Sequence, residues 1–123
     1  MKIRIRGNSV RFRLTKSEVS ELCRAGYFEE KTEFDTSEFT YAIKASAVHE
    51  NLFVSFNGNR ILLYIPNILL MDWDTTDRVG FYHNQSLQRG NMLKLTLEKD
   101  FMCMDETTED QSDNYPNPKA GTL

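Results

Sequence analysis

Residues 1–28 have the sequence MKIRIRGNSVRFRLTKSEVSELCRAGYF, which predicts a β-hairpin that leads directly into a capped helix. Two alternating runs flank Gly7-Asn8, and these two residue types tolerate the positive φ angles of a two-residue hairpin loop. In that register Ile3 lies opposite Phe12, and every apolar side chain falls on one face and every basic side chain on the other. A three-residue loop would mix the two faces, so the pattern selects the two-residue loop.

The basic side of this hairpin is the candidate binding surface. Arg4 lies opposite Arg11 and Lys2 lies opposite Arg13, and like charges directly across a strand pair destabilise the pair. Acids of this chain, acids of a partner or a phosphate-bearing ligand would relieve the repulsion. Because guanidinium groups bind phosphate and carboxylate in bidentate fashion, we predict an anion-binding site on this surface, which we call the basic face. Its members are Lys2, Arg4, Arg6, Arg11 and Arg13. The alternative is a solvated face, or one that pairs with the acidic C-terminal segment.

The helix after the hairpin has signals at both ends. Thr15 and Glu18 have the spacing of a capping box, and Gly26 is placed to end the helix with a positive φ. Cys23 lies on the apolar stripe of this helix, which favours a buried structural thiol.

Alternating apolar and polar residues predict further strands along the chain. These strands cover residues 28–34, 39–47, 52–56, 60–65, 78–83 and 91–98. Either Asn57-Gly58 or Gly58-Asn59 can form the loop of the second hairpin, and the latter is preferred because it aligns Phe56 with Ile61.

A short helix is predicted to start at Pro66, where the missing N–H of proline costs little. Its residues are apolar nearly all round, so we expect it to be buried. In the strand over 78–83, Val79 and Phe81 are expected to point inward.

The predicted fold class is α+β, with about seven strands, one long N-terminal helix and one short helix. Because hairpins dominate, we expect a largely antiparallel sheet that is curled or forms a partly closed barrel packed on the helices. Residues 1–104 are predicted to form a single globular domain. Residues 105–123 form an acidic, proline-containing tail that is either disordered or laid over the domain.

Charge is distributed unevenly along a chain whose net charge is −3. Residues 1–16 carry six bases and no acid, whereas residues 98–113 carry seven acids and one base. The overall balance argues against a dedicated duplex-DNA binder. On the basic face no aromatic residue interleaves the arginines, so a base-stacking platform is not supported.

The chain has no apolar run near 18 residues and no signal peptide, which predicts a cytoplasmic protein without a membrane segment. Cys23 and Cys103 are far apart in unlike settings and indicate ordinary thiols of a reducing compartment.

No catalytic residue, metal site or cofactor is predicted. His49 and His83 each lack a partner at a spacing typical of a catalytic pair. The acidic segment over 105–113 lacks the central glycine of a calcium-binding loop.

Two stretches together carry a resemblance that spans the whole chain. MKIRIRGNSVRFRLTKSEV at residues 1–19 and LTLEKDFMCMDETTEDQSDNYPNP at residues 95–118 resemble a family of short bacterial proteins of unassigned function. The resemblance implies a bacterial, single-domain, cytosolic protein, and it transfers no catalytic residue.

A weaker likeness covers residues 60–97. RILLYIPNILLMDWDTTDRVGF is similar to the strand, proline-started helix and strand of swapped-hairpin transition-state regulators, which are dimeric DNA binders. The helix is more apolar here, and the basic hairpin and the acidic tail lie outside that pattern.

We therefore expect a non-enzymatic binding or interaction domain, with a homodimer as one arrangement, that recognises an anionic ligand or protein partner through the basic face. One alternative is a nucleic-acid-binding regulator that contacts phosphates through the arginines. Another is a small metal-dependent hydrolase with a metal held by the acidic segment.

Overall fold

A computed structural model describes residues 1–102 and 111–116 of the chain, and these residues form eight strands and two helices. In chain order the elements are β1 (Lys2–Arg6), β2 (Ser9–Leu14), α1 (Lys16–Ala25), β3 (Tyr27–Glu33), β4 (Glu38–Ser46), β5 (Phe53–Asn57), β6 (Arg60–Pro66), α2 (Asn67–Leu70), β7 (Gly80–Ser86) and β8 (Met92–Lys99).

The strands form two four-stranded sheets. The first sheet has the order β1-β2-β8-β7, and the second sheet has the order β3-β4-β6-β5. In both sheets two antiparallel hairpins are joined by one central parallel pair, β2 with β8 and β4 with β6. The hairpin pair of the second sheet lies, along the chain, between the two hairpins of the first.

The prediction of one largely antiparallel sheet of about seven strands on a long N-terminal helix is wrong. The described strands form two separate sheets and no closed barrel. Helix α1 has only 10 residues, since it is limited by its caps at Thr15 and Gly26. Alternation identifies hairpins, but it carries no information on which hairpins pair, and the central parallel pairs join distant residues such as Phe12 and Leu97.

One hydrophobic core holds both sheets and α1 together. Phe12 of the first sheet, Leu63 of the second and Leu22 of α1 are each fully buried in it. Gln85 in β7 adds a polar link between the sheets: its Oε1 accepts a hydrogen bond from Val54 N at 2.8 Å, and its Nε2 donates to Val54 O at 3.2 Å. The side-chain amide of Gln85 thus satisfies both backbone groups of a residue on an edge strand of the second sheet.

The local registers predicted from alternation are confirmed. Ile3 pairs with Phe12 across the Gly7-Asn8 loop. Phe56 pairs with Ile61, which leaves Gly58 and Asn59 as the loop of the second hairpin.

The predicted helix caps are also confirmed. The backbone N–H of Thr15 donates to Glu18 Oε1 at 2.8 Å. Gly26 ends the helix in the left-handed conformation, with φ 72°.

Two burial predictions are wrong. In and beside the four-residue α2, Ile68 is 73% exposed and Met71 is 70% exposed, whereas Leu70 is buried. A single helical turn can pack only one side against the domain, so its other apolar side chains face solvent. Val79 is exposed because β7 begins one residue later, at Gly80.

Part of the C-terminal segment contacts the domain. Met102 N donates to Tyr115 O at 2.6 Å, and Tyr115 N donates to Asp100 O at 2.9 Å. Residues 105–110 and 117–123 of the predicted tail lie outside the described residues. Within the described part of the chain, neither helix has the length and apolar character required to cross a bilayer.

Candidate anion-binding site

The basic face is formed by the outward side of the hairpin β1–β2. Side chains alternate along each strand, so the inward positions hold core residues such as Val10 and Phe12. Arg4 pairs with Arg11 in the observed register, and Lys2 pairs with Arg13. The structure therefore brings all of the basic-face positions, Arg6 included, to one side of the first sheet.

Glu98 neutralises the half of the basic face nearest β8. It pairs with Arg13 across the parallel β2–β8 pair, and its Oε1 lies 3.5 Å from Arg11 Nε and 3.6 Å from Arg13 Nε. The hydroxyl of Tyr82 donates to Glu98 Oε2 at 3.1 Å. One carboxylate thus faces two guanidinium groups and offsets their mutual repulsion.

Asp100 is the second carboxylate of this region. It follows β8 and is buried, and its Oδ2 lies 3.3 Å from the Nζ of Lys2. Asp100 therefore provides a negative charge at the end of the basic face that holds Lys2.

The opposite end of the basic face is different. Arg4 and Arg6 make no ion pair with any residue in 1–102 or 111–116. Together with Ser9 and Arg11 they line a cavity of about 100 Å³, which we call the anion cleft. The hydroxyl of Ser9 donates to Arg6 O at 2.6 Å and closes the base of the hairpin turn.

Lys94 adds a further cation beside the anion cleft. It pairs with Ser9 in the parallel register and is exposed on the same side of the sheet. Sequence reasoning missed Lys94, Glu98 and Asp100 as members of this site. Their alternation with Leu95 and Leu97 marked an outward face, but the neighbouring strand is set only by the tertiary fold.

The β1 strand is anchored at its start by two acids. The Met1 amino group is buried and forms ion pairs with the carboxylates of Glu18 and Glu30, the latter at 2.6 Å. Glu18 also accepts the capping hydrogen bond from Thr15. Burial alone raises the pKa of Glu18, but these hydrogen bonds outweigh it and lower the pKa below its ordinary value.

Asp113 contacts helix α1 rather than the basic face. Its Oδ2 accepts a hydrogen bond from Ser17 Oγ at 2.6 Å, and its Oδ1 accepts one from Ser17 N at 3.2 Å. These bonds, the first above all, lower the pKa of Asp113. Asp113 therefore satisfies backbone donors at the start of α1, where a negative charge is favourable. The other tail acids predicted as counter-charges, residues 105–110, lie outside the described residues.

The two histidines occupy unrelated places. His49 lies in the connection between β4 and β5, where its Nδ1 is 2.7 Å from Ser46 Oγ. His83 lies in β7 and pairs with Leu95 of β8. Across 1–102 and 111–116, no three His, Cys, Asp or Glu side chains converge in a manner that could hold a metal ion. The acidic segment invoked for a metal-dependent hydrolase is mostly outside those ranges.

Cys23 has the surroundings of a structural thiol. It is partly buried, and its Sγ donates to Leu70 O at 3.4 Å. Burial raises the pKa of this thiol, which keeps it in the unreactive protonated form. Cys103 lies outside the described residues.

The chain was compared with protein families, curated proteins and solved structures. No curated protein and no solved structure matches the chain. A family model described as "Family of unknown function (DUF7009)" matches residues 1–119. Because this match covers nearly the whole sequence, the chain belongs to that family of unknown function.

Proposed function

We propose that this protein is a non-catalytic binding domain that takes up an oxyanion, a phosphate or carboxylate group, in the anion cleft. The observation that supports this best is the convergence of Arg4, Arg6 and Arg11 on one small cavity. Of these three, only Arg11 has an acidic partner within the described ranges, and it shares that partner with Arg13.

The physical argument is that this positive charge is only partly compensated, because Arg11 shares Glu98 with Arg13. Arg4 and Arg11 lie directly opposite each other, and a like-charged cross-strand pair costs a few tenths of a kcal/mol up to about 1 kcal/mol. A bound anion would convert this repulsion into two charge-assisted contacts, each about twice as strong as a neutral hydrogen bond. The free energy of binding thus includes the loss of the repulsion between Arg4 and Arg11 that is present in the free protein.

The contents of the cleft favour binding over catalysis. Among the described residues its lining consists of three arginines and Ser9, with neither a carboxylate nor an imidazole. The Ser9 hydroxyl donates its hydrogen to a backbone carbonyl rather than to a side chain that could act as a general base. A volume of about 100 Å³ suits one oxyanion group.

The direct test is a titration of the full chain with inorganic phosphate at low salt, followed by amide NMR. We expect saturable shifts at residues 4–11 and loss of those shifts in Arg4→Gln. Arg24→Gln is the matched control, because Arg24 is a helix arginine that pairs with Glu21 outside the cleft. Unchanged phosphate binding in Arg4→Gln would disprove the proposal.

A mobility-shift assay beside the phosphate titration distinguishes binding of a small anion from binding of nucleic acid. A nucleic-acid backbone laid along the basic face would have to pass Glu98, which already neutralises Arg11 and Arg13. We therefore expect phosphate to bind and a duplex oligonucleotide to show no mobility shift at low salt. A retarded band whose affinity falls steeply with salt would favour the nucleic-acid regulator instead.

A further inference from the structure

A second cavity lies on the outward side of the second sheet, far in sequence from the anion cleft. It measures about 560 Å³, within the range of about 300–1,000 Å³ typical of small-molecule sites. We call it the aromatic pocket. The side chains that give it its chemistry are Lys44, His49, Phe53, Ser55, Asn57 and Tyr64.

Three rings form one wall of this pocket. Phe53 and Tyr64 are cross-strand partners on β5 and β6. His49 covers both of them, with ring centroids 5.1 Å from Phe53 and 4.6 Å from Tyr64 and interplanar angles of 27° and 20°. The loop after β4 therefore places an imidazole flat on an aromatic pair, and Phe53 remains 39% exposed.

Ser46 fixes the orientation and the tautomer of His49. Its hydroxyl, at the end of β4, is buried and accepts hydrogen bonds from Val48 N at 3.2 Å and His49 N at 3.1 Å. A hydroxyl oxygen accepts two such bonds, so its own hydrogen is left for His49 Nδ1, 2.7 Å away. The neutral imidazole then carries its hydrogen on Nε2.

This arrangement favours a binding site over a serine nucleophile. An attacking hydroxyl must be accessible, but Ser46 is buried and its oxygen is held by two backbone donors. Ser46 is therefore a positioning residue for His49. Its spacing to His49 is the sequence signal that could have indicated this turn, because serine commonly bonds backbone N–H groups two and three residues on.

Several polar groups of the pocket lack a partner among the described residues. Lys44 is exposed and pairs with Tyr64 in the β4–β6 register. In the part of the chain that the structure describes, the ammonium of Lys44 and the side chains of Ser55 and Asn57 make no hydrogen bond or ion pair. None of the described lining residues is acidic. The pocket thus offers flat aromatic surface and an unneutralised cation.

We propose that the aromatic pocket binds a small molecule made of a planar aromatic ring bearing an anionic group. The ring packs against His49 and Phe53, and the anion faces the Lys44 ammonium. Aromatic stacking selects planar ligands, and the cation selects negatively charged ones over neutral isosteres. This proposal does not depend on the anion cleft, which lies on the other sheet.

The test uses three probes that separate ring from charge: benzoate, benzamide and acetate. Benzoate has both features, benzamide has the ring without the charge, and acetate has the charge without the ring. We expect amide NMR of the full chain to show saturable benzoate shifts within residues 44–57. Benzamide and acetate should each bind at least about threefold to fivefold more weakly than benzoate, because each lacks one of its two contacts.

Variants assign the two contacts. Lys44→Gln should remove the preference for benzoate over benzamide, and Phe53→Leu should weaken both aromatic probes. Lys31→Gln is the matched control, since Lys31 is also exposed on this sheet but does not line the pocket. Lys44 is a surface position, so its variant stays informative even if Phe53→Leu fails to fold.

Two results would overturn the proposal. One is the absence of saturable benzoate shifts within residues 44–57. The other is benzoate binding that Lys44→Gln leaves unchanged. Shifts confined to residues 4–11 and abolished by Arg4→Gln would assign benzoate to the anion cleft and likewise overturn the aromatic pocket, while supporting the function proposed above.

Discussion

The first and second sheets are each assembled from two hairpins whose central strands run parallel, yet their outward faces carry different side chains. The first presents arginines around a cavity of about 100 Å³, and the second presents stacked rings around one of about 560 Å³. Both faces lie opposite the same core. Strand pairing therefore leaves the outward positions free, and their side chains decide what each sheet can bind.

The largest expected effect on stability comes from truncating a side chain in the core that the two sheets share. Phe12 is fully buried, so Phe12→Ala should lower the free energy of unfolding by about 3–5 kcal/mol. Phe56, on the second sheet, is 64% exposed and serves as the matched control; Phe56→Ala should cost under about 1 kcal/mol. Urea denaturation followed by circular dichroism measures both. Separate unfolding transitions for the two sheets would show that they are independent units, contrary to our expectation.

The polar link between the sheets should have the next largest effect. Gln85→Leu leaves the buried N–H and C=O of Val54 without their partner, and we expect a loss of about 2–3 kcal/mol. Hydrogen exchange at the Val54 amide should accelerate in parallel. Gln88→Leu, at an exposed position of the following turn, is the control and should be nearly neutral. Equal effects in the two variants would show that the hydrogen bonds between Gln85 and Val54 do not stabilise the fold.

Substitution of Glu98 should change anion binding on the first sheet and leave the second sheet unaffected. Glu98→Gln should cost about 0.2–1 kcal/mol of stability, as is usual for a partly exposed ion pair. It should also raise the phosphate affinity of the anion cleft about twofold to fivefold, because Arg11 loses its internal partner.

A spectroscopic signal accompanies that change. Burial, and then the charge of Glu98, raise the pKa of Tyr82. The phenolate absorbance of Glu98→Gln should therefore titrate at lower pH than in the unaltered protein. Weaker phosphate binding in this variant would mean that Glu98 organises the arginines rather than competing for them. The aromatic pocket should be unaffected in either case.

Asp113 should have the smallest effect, seen in the pH dependence of stability. The folded pKa of Asp113 lies below its unfolded value of about 3.9, so its contribution is present above that pH and is lost as pH falls through the folded pKa. The Asp113 side chain is partly exposed and screened by solvent, so the contribution is about a few tenths of a kcal/mol at most. Acid denaturation of Asp113→Asn should show a shallower slope below pH ~4. An unchanged slope would mean that the contact with Ser17 does not stabilise α1.

Local features were predicted well from the sequence. The hairpin register at Arg4 and Arg11 follows from alternation and from a loop pair that tolerates positive φ. The ends of α1 follow from the capping spacing of Thr15 and Glu18 and from Gly26. These signals act over a few residues, and so they are visible without knowledge of the fold.

The binding sites were predicted only in part. The positions of the basic face were identified, but the division of that face by Glu98 was not, because β8 (Met92–Lys99) lies far along the chain from β2 (Ser9–Leu14). The aromatic pocket was missed altogether. His49 has no catalytic partner in sequence, and its contact with Phe53 and Tyr64 depends on the path of a loop.

Alternating side chains and turn residues thus determined by themselves the registers of the hairpins β1–β2 and β5–β6, where the first helix begins and ends, and which side of the first hairpin is cationic. The tertiary structure alone decided that hairpins distant in the chain share a sheet through parallel strands. It thereby decided which arginines meet Glu98 and which face an open cleft. The physical reason is range: hairpin registers are set by contacts between near neighbours, whereas the pairing of hairpins is set by the burial of a core that every element shares.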